Sequence, residues 1–80
     1  MEARRGPKPQ HKPGYRQLCQ LLREMREAAG LSQRDLAKKM RMSPSQVAKC
    51  ELGSRRIDPL EFKRWCVQCG TDPAEAIQKV

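Results

Sequence analysis

Apolar residues return every three or four positions through most of the chain. Leu18, Leu21, Leu22, Met25 and Ala29 form one set, Leu36, Ala37 and Met40 a second, and Val47 and Cys50 a third. This is the period of α-helices that bury one face. Start and stop signals sit between the sets. The first helix is predicted over 15–29, with Gly30 just past its end. Ser32 reads as the N-cap of a second helix over 33–40, and Asp35 three residues on completes a weak capping box. Arg41-Met42 forms a turn. Ser43 caps a third helix over 44–52, with Pro44 at its first position and Gln46 closing a second capping box.

The loop from Leu52 to Asp58 follows, with Gly53 relaxing the backbone and Ile57 turned inward. Asp58, Pro59 and Glu61 open a fourth helix that carries Cys66, Val67 and Cys69 towards Gly70. Trp65, the largest apolar group, either closes the core or lies at a dimer surface. Asp72-Pro73 restarts a short last helix over 74–79, with Ile77 and Val80 as its apolar edge. A helix this short does not stand alone in water, so it must dock on its own domain or on a second chain. The expected class is all-α, a small five-helix bundle.

Residues 1–14 break the pattern. Prolines and glycines leave no helical or strand period, which predicts a flexible, disordered basic N-terminal arm. Arg4, Arg5, Lys8 and Lys12 stand there against Glu2, a local net charge of +3. Such an arm either lies along phosphates or reaches into a minor groove, or it is only a solubilising tail.

Composition then narrows the partner. Eighty residues make one small domain, 1–14 as arm and 15–80 as the folded part. The net charge of +8 favours a polyanion, nucleic acid first and an anionic membrane surface second. One Phe, one Tyr and one Trp are too few for stacking on single strands. No apolar run reaches membrane-spanning length and the N-terminus lacks the apolar stretch of a secretory signal, so no membrane partner and a cytoplasmic location are expected. In that setting Cys19, Cys50, Cys66 and Cys69 read as reduced thiols, Cys19 and Cys66 partly exposed, Cys50 and Cys69 as small core hydrophobes. Cys66-Val67-Gln68-Cys69 has the spacing of half a zinc site, but no second pair supplies the other two ligands, so no metal and no cofactor is expected. A phosphate-binding Gly loop and a His–acid cluster are both missing, which argues against an enzyme.

The stretch Gly30-Leu31-Ser32-Gln33, then Leu36-Ala37, Val47, Glu51 and Gly53, resembles the helix-turn-helix of the lambda-repressor/Cro (XRE) family. The resemblance extends back to Leu22–Arg26, forward through Pro59 to Gly70, and covers roughly Tyr15 to Val80. It implies a lambda-repressor-like bundle whose third helix enters the DNA major groove. It also implies that Arg26 pairs with Glu51 and that Gln33 bonds a phosphate at a helix N-terminus. The family usually has Gly where Arg41 stands, because that turn tends to need a left-handed residue. Any other residue there costs on the order of 1 kcal/mol.

On the third helix, Ser45, Gln46 and Lys49 carry the chemistry that base edges accept, Lys49 foremost, then Ser45. Gln46 has a conflict, since closing the capping box on Ser43 leaves its amide less free. Pro44 offers only apolar contact, for example to a thymine methyl. Phosphate contacts are expected from Gln33, Arg34, Ser43, Ser54, Arg55 and Arg56, which position without specifying. The partner is then double-stranded DNA, bound by a homodimer on a two-fold operator with half-sites about one helical turn apart. The activity implied is that of a repressor, bacterial or phage-encoded and nucleoid-associated when bound. The alternative is a protein-interaction module, such as the antitoxin partner of a toxin, that keeps the fold with little DNA reading.

Overall fold

Over residues 13–80, which the computed structural model describes, the chain forms α1 (Pro13–Ala28), α2 (Gln33–Met40), α3 (Pro44–Leu52), α4 (Pro59–Gln68) and α5 (Pro73–Ile77), with no strand among these residues. The arm cations Arg4, Arg5, Lys8 and Lys12 lie outside the described residues. Pro13 and Gly14, expected in the arm, belong to α1 instead. Proline at the first helical position loses nothing, because the N–H it lacks has no intrahelical partner there.

The starts of α2, α3 and α4 are set by hydrogen bonds that span only three residues. Ser32 Oγ accepts from Asp35 N at 3.0 Å while Asp35 Oδ2 accepts from Ser32 N at 3.0 Å. Asp58 and Glu61 exchange the same pair at 2.8 and 3.3 Å. Asp72 Oδ1 takes the Ala74 N–H at the start of α5, at 3.0 Å. A lost cap of this kind typically costs about 1 kcal/mol.

The ends repeat a second device. Leu31, Met42, Ser54 and Thr71 each donate their N–H to a carbonyl five residues back, at 3.1, 2.9, 3.0 and 2.8 Å. This closure turns on a left-handed residue, and Gly30, Gly53 and Gly70 supply it at three of the four ends. Arg41 supplies it at the fourth, with φ 58° and ψ 44°, the one non-glycine at positive φ among the described residues. The chain accepts the left-handed turn without the glycine. Arg64 of α4 donates to the Met40 carbonyl at this end, so a cation from another helix sits on the negative pole of α2.

The core gathers Leu22, Leu36, Met40, Val47, Cys50, Trp65 and Cys66, all essentially inaccessible. Trp65 closes the core from α4 and satisfies its indole by donating to the Leu22 carbonyl at 3.1 Å. The inward stripe of α1 differs from expectation. Cys19 is buried, Leu18 only half-buried and Ala29 exposed. Leu18 faces an open apolar groove of about 530 Å³ shared with Ile57, Phe62 and Ile77. Ala29 lies beyond the last turn of α1, where the chain has left the helix axis. On α4, Cys66 is fully buried against Met25 and Cys69 half-buried, which reverses the expected order. Val67 and Leu60 point outward. The last helix starts at Pro73 and ends at Ile77, two residues short of the expected Lys79, and docks through Ala76, leaving Ile77 and Val80 exposed.

Burial raises the pKa of all four thiols, Cys69 to about 11. They stay protonated at neutral pH and serve as packing groups.

Arg41→Gly removes the left-handed strain but widens the unfolded ensemble, so a gain of up to about 1 kcal/mol in urea unfolding is expected. A clear loss of stability, with nothing to offset the wider unfolded ensemble, would show that Arg41 carries no strain in this turn.

Candidate nucleic-acid interface

Arg41, Met42 and Ser43 join α2 to α3, and the second of these helices shows one face to the core and the other to solvent. Val47 and Cys50 are buried. At about 100° per residue the opposite direction carries Ser45, Lys49 and Leu52, with Gln46 and Ala48 on its flanks. Pro44, Ser45, Gln46 and Lys49 are exposed, as a base-reading edge requires. Leu52 is 70% exposed in the same row. Sequence reasoning gave it no site role. Its seven-residue spacing from Ser45 was the signal.

The capping box at Ser43 decides what Gln46 can do. Gln46 N donates to Ser43 Oγ at 3.1 Å, and Gln46 Oε1 accepts from Ser43 N at 2.9 Å. The amide oxygen is turned back onto the backbone, so Gln46 presents its NH₂ group outward. It can donate to acceptors of guanine, thymine or adenine, but the two-bond pairing with adenine needs that oxygen as well. Ser43 keeps its hydroxyl hydrogen as a donor for a phosphate oxygen.

Glu51, at the other end of α3, is where α1, α2 and α3 meet. Arg26 Nε and Nη2 donate to its two carboxylate oxygens at 2.6 and 3.1 Å, while Arg26 Nη1 donates to the Leu31 carbonyl at 2.9 Å. Gln33 Nε2 donates to Glu51 Oε1 at 3.0 Å. The Arg26 and Glu51 side chains are 11% and 5% exposed. The hydrogen bond to Glu51 raises the Arg26 pKa against the opposing effect of burial. The pairing that the family resemblance implied is therefore present. It also takes one hydrogen of the Gln33 amide, beside the main-chain N–H groups that open α2. Arg34 is exposed in the first turn of the same helix.

The loop after α3 divides its two arginines. Arg55 forms a fork with Glu61 at 3.1 and 3.0 Å, and its Nη1 also donates to Cys50 Sγ at 3.4 Å and to the Arg56 carbonyl at 3.3 Å. The fork with Glu61 raises the Arg55 pKa and lowers that of Glu61. The structure thus engages the Arg55 guanidinium with Glu61 while its side chain stays 31% exposed, where a phosphate contact was expected. Ser54 and Arg56 flank it, Ser54 exposed and Arg56 at the loop surface. Tyr15 Oη accepts from Ile57 N at 3.3 Å and ties this loop to the start of α1.

A family model for the helix-turn-helix domain matches residues 17–76. Two crystal structures of the clp gene regulator ClgR from Corynebacterium glutamicum are similar to this chain. One is 25% identical with a TM-score of 0.77, covering 91% of this chain and 74% of that one. The other is 26% identical with a TM-score of 0.72, covering 78% and 80%. No curated protein sequence matches the chain.

Removing either partner of the Arg26–Glu51 pair strands a charge with little solvent. Arg26→Met and Glu51→Leu should each destabilise by about 3–5 kcal/mol in urea unfolding, while the double variant should regain most of that loss. Additive losses would mean that the two charges are not coupled. Glu61 has a folded pKa below its ordinary 4.5, so its stabilising contribution is complete above that pH and fades as pH falls through the lower folded value. Stability measured against pH should therefore fall less steeply on the acid side for Glu61→Gln than for the wild-type chain. Parallel acid limbs would contradict the fork.

Proposed function

The chain belongs to the helix-turn-helix domain family, and on that premise we propose that it is a sequence-specific double-stranded DNA-binding transcription regulator, a repressor that occupies an operator with α3 in the major groove. The observation that carries this reading is the exposed row Ser45–Lys49 on a helix whose opposite face, Val47 and Cys50, is locked in the core. Lys49 is the principal base reader, suited to guanine acceptors, with Ser45 and the Gln46 NH₂ group beside it. Pro44 adds apolar contact at the start of the helix. Ser43, Arg34, Ser54 and Arg56, with the backbone N–H groups at Gln33, hold phosphates on either side. Arg55 acts through the loop, keeping Ser54 and Arg56 in place. The gene-regulatory role of the similar ClgR structures favours transcriptional control over an architectural role.

Two copies would bind as a homodimer on a two-fold site with half-sites about one helical turn apart. One apolar surface open to such pairing is the end of α5 and the residues after it, where Ile77 and Val80 are 48% and 40% exposed. An inverted repeat enriched from a random duplex pool would support dimeric binding; a single enriched half-site would argue for a monomer.

Binding should weaken with salt at a log–log slope of several units, as expected when several phosphates are neutralised. Lys49→Ala should lose about 1–3 kcal/mol on the selected site and little on random DNA, whereas Arg56→Ala should weaken both alike. Equal effects of the two substitutions on both DNAs would sink the division into base reader and phosphate contact. Lys49→Glu with undiminished function would replace DNA reading by a protein-interaction role.

A further inference from the structure

The outward row of α3 ends on a residue that polar readout leaves unused. Leu52 closes the helix, 70% exposed, and Ala48 lies half-buried one turn before it. Seven residues separate Leu52 from Ser45, nearly two full turns, so both point the same way about 10 Å apart along the axis. That distance is about three base-pair steps of B-DNA. Leu52 also lines a shallow groove of about 220 Å³ with Gln33, Ala48 and Glu51. It therefore lies on the side of the molecule where α2 presents its N-terminus.

Resting on the reading that α3 enters the major groove, we propose that Leu52 is a specificity-determining residue that packs, with Ala48, on the C5-methyl group of a thymine. A leucine can neither donate nor accept a hydrogen bond. The apolar group that a base pair displays in the major groove is the thymine methyl, which marks T·A against the other pairs. Ser45 and Lys49 read acceptors nearer the start of the helix, and Leu52 adds a T preference about three base pairs from the Ser45 contact and little more than one from that of Lys49. Pro44, the other apolar candidate, stands at the opposite end of α3 and would act on a different base.

The test uses the duplex enriched by the full chain, with each thymine replaced in turn by deoxyuridine. This removes the methyl and keeps every hydrogen-bonding group. Wild type, Leu52→Ala and Leu52→Met are titrated by fluorescence anisotropy, with thermal unfolding run on each. At one thymine, deoxyuridine should weaken wild type and Leu52→Met by about fourfold, the worth of one buried methyl-sized group. Leu52→Ala should bind thymine and deoxyuridine there equally. A substitution that costs Leu52→Ala as much as wild type at every position would overturn the assignment, as would a wild type indifferent to all of them. If Leu52→Ala unfolds, a wild-type scan with no sensitive thymine about three base pairs from the Ser45 contact still overturns the assignment. A pool with no enriched site would instead remove the groove reading itself, a separate and recognisable outcome.

Discussion

The fork between Arg26 and Glu51 is the contact on which the geometry of the interface depends. It joins α1 to α3, and through Leu31 and Gln33 it takes in the turn before α2 and the first residue of that helix. A nine-residue helix such as α3 has little stability of its own. Val47 and Cys50 hold it against the core, but apolar contact alone permits it to roll. A planar guanidinium on a carboxylate does not, because both hydrogen bonds must keep their direction. An apolar pair could match the fork in energy, so its distinctive contribution is orientation. It also cancels the one negative charge on α3, which would otherwise oppose a phosphate.

The same use of acids extends across the molecule. Glu27 pairs with Arg23, Glu24 accepts from Gln20, Glu61 holds Arg55, and Asp35, Asp58 and Asp72 cap helices. Arg34, Lys38, Lys39, Arg41 and Lys49 remain exposed, and Arg56 stands at the loop surface. Much of the positive charge of the described residues is thus displayed around α2, α3 and the following loop. A field arranged this way draws a polyanion to the face that carries the candidate readers.

Arg41 shows how tertiary contacts tolerate a local misfit. Its left-handed backbone is unfavourable on its own, yet the turn closes the α2 ladder through the Met42 N–H and brings the Met40 carbonyl to Arg64. A tighter or looser turn would move Ser43, and with it the start of the helix that bears Ser45 and Lys49. The strain sits between the two helices whose relative placement matters most.

The starts of α2, α3 and α4 were legible because their causes are local. Ser43-Pro44 with Gln46, and Asp58-Pro59 with Glu61, complete hydrogen bonds within three residues, so the order of residues alone determined them. The apolar period likewise marked Val47 and Cys50 as inward, which left Ser45 and Lys49 outward. The Arg26–Glu51 pair was available only through family resemblance, since 25 residues separate its members. What the tertiary structure decided depends on how helices cross. It put Cys19 and Cys66 inside and left Ala29 outside, although each set kept its period. It bent Arg55 onto Glu61 and drew the Gln33 amide to Glu51, because a long polar side chain takes whichever partner the fold brings within reach. It left Leu52 exposed at the end of the outward row of α3, where the packed helices bring no neighbour to cover it among the described residues.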